Sequence, residues 1–357
     1  MAKLKLNLEL LEAAVLGGCV LGGGGGGAMS KGYNAAKVGL EKGEVYLIDP
    51  SDLEDDAYLI NVSNVGAPSA TNSYVAIEDY GKAIEMVSRA MNTDIKGIIT
   101  NEAGGSATVN GWLQSALLGI PVVDAPCNGR AHPTGIMGAM GLHKNPEYIS
   151  YQAAIGGKKE QGRHVEMVAS GNLARVARLV REVAVEADGL ATVARNPVKC
   201  KYAKENGACG AIKQAIELGQ AMIAAKPLGV EKVLGAVCEK LHGEIILKGK
   251  IDKILLECKG GFDVGSVKIG NVELTFWNEY MTLEKENKRM GTFPDLIMTF
   301  DLATGTPVTS AEIKEGMEVA ILFVDKKYIK LGGGMKDPEL FKQCEKAVEK
   351  DIISYAF

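Results

Sequence analysis

The residues best suited to chemistry lie in two short polar stretches, each following an apolar run. Asn101-Glu102-Ala103-Gly104-Gly105 follows residues 96–100, and Asp124-Ala125-Pro126-Cys127-Asn128-Gly129-Arg130-Ala131-His132-Pro133 follows residues 120–123. Open α/β sheets bind ligands beyond the carboxyl ends of their strands. Glu102, Asp124, Cys127, Arg130 and His132 are therefore candidates for one cleft. A thiol and an imidazole five residues apart, with an acid nearby, support two chemistries. In one, Cys127, His132 and Asp124 ligate zinc, whose bound water becomes a nucleophile at neutral pH. In the other, His132 lowers the pKa of Cys127 and the thiolate attacks a carbonyl, with Arg130 stabilising the oxyanion. The plainer readings are a turn cap for Asp124, a surface ion pair for Arg130 and a small buried hydrophobe for Cys127. His143, His164 and His242 are isolated and read as structural.

A third feature is the run of six glycines from Gly22 to Gly27. A phosphate-binding P-loop would need Lys-Ser or Lys-Thr after it, and Ala28-Met29 stand there instead. Gly22, Gly24 and Gly27, with Asp49 placed 22 residues later, satisfy a dinucleotide pattern. The segment before them, however, reads as a helix where that motif needs a strand. What remains is a turn, or a nest of amides from Gly23, Gly24, Gly25 and Gly26 that holds an anion or a substrate carbonyl. The fourth feature is Phe276-Trp277-Asn278-Glu279-Tyr280, followed by Phe293-Pro294-Asp295-Leu296. Asn278 and Glu279 interrupt a strand pattern, which marks either a site or an ordinary β-turn.

The elements that must carry these residues alternate. Helices are expected over 7–17, 35–41, 80–91 and 111–118, and strands over 45–48, 58–62, 96–100 and 120–124, with a turn at 66–69. That order predicts an α/β layer architecture. Helical spacing returns over 172–187 and 211–225. From residue 243 the chain becomes a series of short β runs between Gly, Asn and Asp turns, closed by a helix over 338–348. The expected division is an α/β domain at 1–165 carrying the glycine-rich loop, a helical section at 166–240 packing on it, and a β-rich C-terminal domain at 241–357. The whole is a two-domain α+β protein.

Composition narrows the function classes. With 40 basic and 44 acidic residues and a net charge of −4, no basic surface for nucleic acid is expected. The seven cysteines are odd in number, scattered and free of any Cys-x-x-Cys pair, which fits reduced thiols in a cytoplasm. The N-terminus lacks an uninterrupted signal-peptide core, and the apolar stretch at 13–21 is too short to span a bilayer. No membrane partner is expected.

The four features occur together, in this order, in the S-methyl-thiohydantoin desulfurases, which the chain resembles over residues 7–324. The family's Leu-Gly-x-Gly-Gly-Gly-Gly loop is matched by Leu21 through Gly27, and its Asp-Pro strand end by Asp49-Pro50. Gly66-Ala67-Pro68, the Glu102 to Gly105 segment, and Pro121-Val122-Val123-Asp124-Ala125 match further motifs. So do Gly129-Arg130-Ala131 with Pro133, Asn278-Glu279, the Pro294 to Ile297 element and the Thr304 to Thr309 element. The resemblance implies an α/β N-terminal domain, a β-rich C-terminal domain and metal-assisted hydrolysis of a cyclic amide-like ring with loss of methanethiol. One loop departs from the pattern. Relatives carry Asp-Ala-Asp-Gly-Met-Gly-Arg-Ala-Phe-Pro-Glu, whereas here Pro126, Cys127, Asn128, His132 and Thr134 replace the usual types. The expectation is a zinc-dependent hydrolase, often homo-oligomeric, acting on a small hydantoin- or S-methyl-thiohydantoin-like molecule through Glu102, Asp124, Cys127, Arg130, His132 and Glu279. The alternatives are a binding protein that uses the same cleft without chemistry, and a nicotinamide-dependent oxidoreductase resting on Asp49 and the glycines.

Overall fold

A computed structural model describes residues 3–66, 72–259 and 262–357. The first eight strands are β1 (Leu4–Lys5), β2 (Tyr46–Ile48), β3 (Tyr58–Gly66), β4 (Ile95–Thr100), β5 (Val122–Val123), β6 (Ser150–Gly156), β7 (Val165–Gly171) and β8 (Leu190–Lys199). They form one sheet in the order β1-β2-β5-β4-β3-β8-β6-β7. Its centre, β2-β5-β4-β3, is parallel, and antiparallel strands flank it on both sides. Parallel strands end along one edge, so Asn101 and Asp124, each directly after its strand, leave the sheet on the same side.

Helices α1 (Leu8–Leu21), α2 (Met29–Lys42), α3 (Ile77–Met91), α4 (Trp112–Leu118), α5 (Leu173–Glu186), α6 (Cys200–Asn206), α7 (Ala211–Ala225) and α8 (Val230–Leu241) pack around this sheet and on one another. The pairing of α1 with α7 is close: a Cβ at Gly17 would lie 1.9 Å from the Ala215 carbonyl oxygen. The glycine run follows α1 directly, so this rigid packing fixes where the run begins.

The second half is strand-rich. β9 (Glu244–Lys250), β10 (Lys253–Lys259), β11 (Phe262–Ile269), β12 (Val272–Trp277), β13 (Glu279–Lys285), β14 (Lys288–Thr292), β15 (Leu296–Asp301), β16 (Pro307–Val308) and β17 (Glu318–Val324) build two antiparallel sheets. One is the meander β10 to β14, and the other has the order β16-β15-β17-β9. Val267, Leu274, Phe276, Tyr280, Ile297 and Ile321 share the apolar core of this part. The expected two-domain α+β class, with its strand-rich C-terminal portion, is what the chain adopts.

One stretch differs from the sequence reading. Residues 166–240, expected to be helical, also contain β7 and β8, and β8 is an interior strand. Its apolar run is short and breaks at Arg195-Asn196-Pro197, so it offers neither alternation nor a long hydrophobic stretch. The register with β3 shifts between Leu59 and Asn61, which leaves Asn196 and Pro197 opposite Ile60. Such a bulge tolerates a proline that has no ladder proton to give. The turn expected at 66–69 falls, beyond Gly66, outside the described residues.

Candidate active site

The glycine run is covered by the protein itself. The Gly23 carbonyl accepts from the Tyr280 amide at 2.8 Å, and the Gly24 carbonyl accepts from the Ser310 amide and hydroxyl at 3.0 and 3.1 Å. The Gly26 carbonyl accepts from the Ser106 and Ala107 amides at 3.1 and 3.0 Å. Side chains would have no room. A Cβ on Gly25 would sit 2.0 Å from Glu279 Oε1, and one on Gly23 would sit 2.8 Å from Arg130 Nη2. Gly26 has φ +77° and lies so close to Gly104 that a Cβ on it would fall 2.4 Å from the Gly104 Cα. The loop's composition therefore lets two backbones touch and lets Glu279 and Arg130 press against bare main chain.

Arg130 and Glu279 reach this backbone from distant parts of the chain, and Glu102 lies near enough to Glu279 for the two carboxyls to interact. Glu102 follows β4, Arg130 lies beyond β5, and Glu279 opens β13. Arg130 is fully buried, its guanidinium 4.5 Å over the Phe293 ring. Nη2 donates to the Tyr280 carbonyl at 2.8 Å, while Nε and Nη1 have no hydrogen-bond partner. Glu279 is also buried, and its Oε2 is equally unpartnered. Burial pushes the Glu279 carboxyl well above the usual carboxylate range, and the Glu102 charge adds to this while Arg130 opposes it. Burial likewise lowers Arg130 to about 10.

Glu102 reaches the same region by way of His132. Its Oε2 accepts from the His132 amide at 3.0 Å and lies 3.3 Å from His132 Nε2. Burial raises Glu102 to about 7, with the His132 amide and the Arg195 charge pulling it back. Burial lowers His132 to about 4, and Arg195 adds to this, so the ring is neutral. Its Nε2 is also 3.4 Å from Asn101 Nδ2. The Glu102 side chain keeps 16% of its surface in solvent against 2% for His132, so Glu102 is the more accessible of the two.

Behind them runs a polar row that sequence reasoning missed. Asn61 on β3 pairs in register with Arg195 on β8, which pairs in turn with Gln152 on β6. Asn61 Nδ2 and Arg195 Nη2 both donate to Asn101 Oδ1, at 3.2 and 3.1 Å. All four side chains are buried. Asn101 is thereby held facing His132. The available signal was the same as at Glu279: polar types inside otherwise apolar strands.

Other sequence candidates occupy different roles. The Asp124 carboxylate accepts from the Ile212 and Lys213 amides at 2.8 and 3.2 Å, which caps the first turn of α7. Burial raises it to about 6, and those hydrogen bonds oppose the rise. Cys127 packs among Ile48, Ile99, Val123, Met140 and Val198, and burial pushes its thiol up to about 12. Asp49 holds the Lys213 ammonium through both oxygens at 2.7 Å. Among the described residues, the ligand atoms of Cys127, His132 and Asp124 are not gathered within reach of one ion. A carboxylate committed to capping α7, a thiol packed in an apolar cluster and an imidazole turned toward Glu102 do not come together for zinc. Nor do the covered glycines leave an open dinucleotide cradle. What the structure brings together is Arg130 and Glu279 at the loop, with Glu102 and its neighbour His132 close to Glu279.

Comparison with known proteins agrees with this arrangement of two halves. Residues 9–161 match the model for the S-Me-THD-like N-terminal domain, and residues 171–328 match the model for the S-Me-THD-like C-terminal domain. The chain belongs to the S-Me-THD-like family. Glu102 falls within the first matched region and Glu279 within the second. A crystal structure of a protein from Chromobacterium violaceum is similar in fold, with a TM-score of 0.71 and 20% identity over 96% of each chain. No curated protein matches. Among the described residues no helix is long and apolar enough to cross a membrane.

Proposed function

We propose that this S-Me-THD-like protein hydrolyses a small cyclic amide-type ring, of the hydantoin or S-methyl-thiohydantoin kind, at the glycine loop. One observation carries the reading: the polar side chains of Arg130 and Glu279 are buried and short of partners against the bare backbone of the glycine loop. Buried polar groups are ordinarily satisfied, so a polar ligand with donors and acceptors on a flat ring completes them. The family supplies the ring type.

The two carboxyls divide the proton transfers. Glu279, held well above the ordinary carboxylate range, is the acid, and Glu102, near 7, is ionised often enough to be the base. Glu102 takes a proton from water as its oxygen bonds to the ring carbon that carries sulfur. Arg130 offsets the negative charge that develops on the ring. The carbon–sulfur bond then breaks and Glu279 protonates the departing thiolate, which leaves hydantoin and methanethiol. The ring product shifts from its hydroxy-imine to its amide form, and passage of the proton from Glu102 to Glu279 restores both groups.

The experiment incubates purified protein with S-methyl-thiohydantoin and follows methanethiol with a thiol reagent and hydantoin by chromatography. Equal release of the two products is expected. Saturable binding of the ring without release of either product would instead support a binding protein that uses the same cleft.

A further inference from the structure

A second constellation lies on the outer strand of the large sheet, and none of its members belongs to the glycine-loop cluster. Asp79 is in the first turn of α3, Glu166 is on β7, and His164 closes the loop between β6 and β7. One ligand atom from each lies within 4.8 Å of the other two. Three observations there are unusual together. Asp79 is only 1% exposed, yet neither carboxylate oxygen has a hydrogen-bond partner. His164 Nδ1 lies 3.3 Å from the Gly157 carbonyl oxygen. Its Nε2 lies 2.8 Å from Glu166 Oε1, within hydrogen-bond distance. The cation present, Lys82, contacts Glu166 at 2.5 Å from the exposed side.

We propose that Asp79, His164 and Glu166 bind a divalent transition-metal ion that fastens the β6–β7 hairpin to the start of α3. An ion among the three atoms answers the orphaned Asp79 carboxylate and takes the place of the proton that His164 Nε2 and Glu166 share. A backbone carbonyl on the far nitrogen of the ring is the usual way a ligating histidine is oriented. One imidazole with two carboxylates suits Zn²⁺, Co²⁺ or Mn²⁺ better than the all-oxygen preference of Ca²⁺ or Mg²⁺. The site makes no demand on the hydrolytic reading, and either can stand without the other.

The test strips full-length protein with a chelator and titrates it with Co²⁺, followed by Zn²⁺. One bound Co²⁺ with visible absorption, displaced by Zn²⁺, is expected. His164→Ala and Glu166→Gln should weaken binding at least about tenfold, while His132→Ala and Cys127→Ala should retain it. Glu166 is partly exposed, so Glu166→Gln keeps the test decisive if the histidine variant misfolds. Zn²⁺ should raise the melting temperature of the wild type and leave that of Asp79→Asn unmoved. Absence of a bound Co²⁺, undiminished binding in both ligand variants, or loss confined to His132→Ala would overturn the proposal.

Discussion

Two post-strand segments of this chain look alike as sequence and differ as structure. Asp124 to Asn128 and the Glu102–Arg130–Glu279 cluster both place acids and hydrogen-bonding groups beyond apolar strands. In the first, every polar side chain is answered. Asp124 has two amide donors, and Asn128 donates to the Arg130 carbonyl at 2.6 Å and accepts from the Gly332 amide at 2.9 Å. Arg130, only two positions further on, buries a guanidinium with two nitrogens unanswered. Residue type and position do not separate a structural segment from a reactive one here. Satisfaction of the buried groups does, because folding alone does not recover the cost of desolvating an unpaired charge.

The contrast yields predictions of decreasing size. Glu279→Gln removes the acid and should lower kcat by about 10²–10⁴-fold. The protonated carboxyl and the amide that replaces it are of the same size, so urea denaturation should find the variant close to the wild type in stability near neutral pH. A variant that loses stability and keeps activity would place Glu279 with the structural groups instead.

Gly25→Ala tests whether the bare backbone matters. The new methyl would overlap Glu279 Oε1, and such overpacking costs about 1–3 kcal/mol. A thermal melt should show this loss, and the rate of methanethiol release should fall with it. Unchanged melting and turnover would mean that the carboxylate is not pinned against the loop.

Glu102 should leave a signature in stability against pH. Its carboxyl is raised to about 7 in the folded chain and titrates near about 4.3 when unfolded. The folded state therefore binds the extra proton between these values. Its contribution is full below the unfolded value and is lost as pH rises through about 7. Glu102→Gln should then gain stability over the wild type between pH 5 and pH 8, as measured by urea denaturation at each pH. A constant difference across that range would mean that Glu102 is not raised. The smallest effect belongs to Cys127→Ala, which should cost about 1 kcal/mol and leave turnover intact. Slow labelling of native Cys127 by a thiol reagent, matching a thiol at about 12, accompanies that result. Rapid labelling would return it to the reactive group.

The sequence disclosed the alternating first half and the β-rich second half because their hydrophobic periods differ, 3.6 against 2. It disclosed Glu102, Arg130, His132 and Glu279 singly, as polar residues at strand ends or breaks. It did not disclose their meeting, since Glu279 is brought to the glycine loop by hydrogen bonds between the two halves, Tyr280 to Gly23, Ser310 to Gly24 and Arg130 to Tyr280. Nor did it disclose β8, whose Arg195-Asn196-Pro197 break reads as a loop until the bulge against β3 is seen. The roles of Asp124 and Cys127 depended on what stands opposite them, α7 for one and an apolar cluster for the other. Spacing along the chain carries no record of either neighbour.

The most direct test of the central claim is kcat/KM for S-methyl-thiohydantoin as a function of pH, in the wild type and in Glu102→Gln. Glu102 acting as base predicts a rise through about pH 7 in the wild type and the loss of that rise, together with most of the activity, in the variant. The same pH profile and a similar rate in both proteins would contradict it.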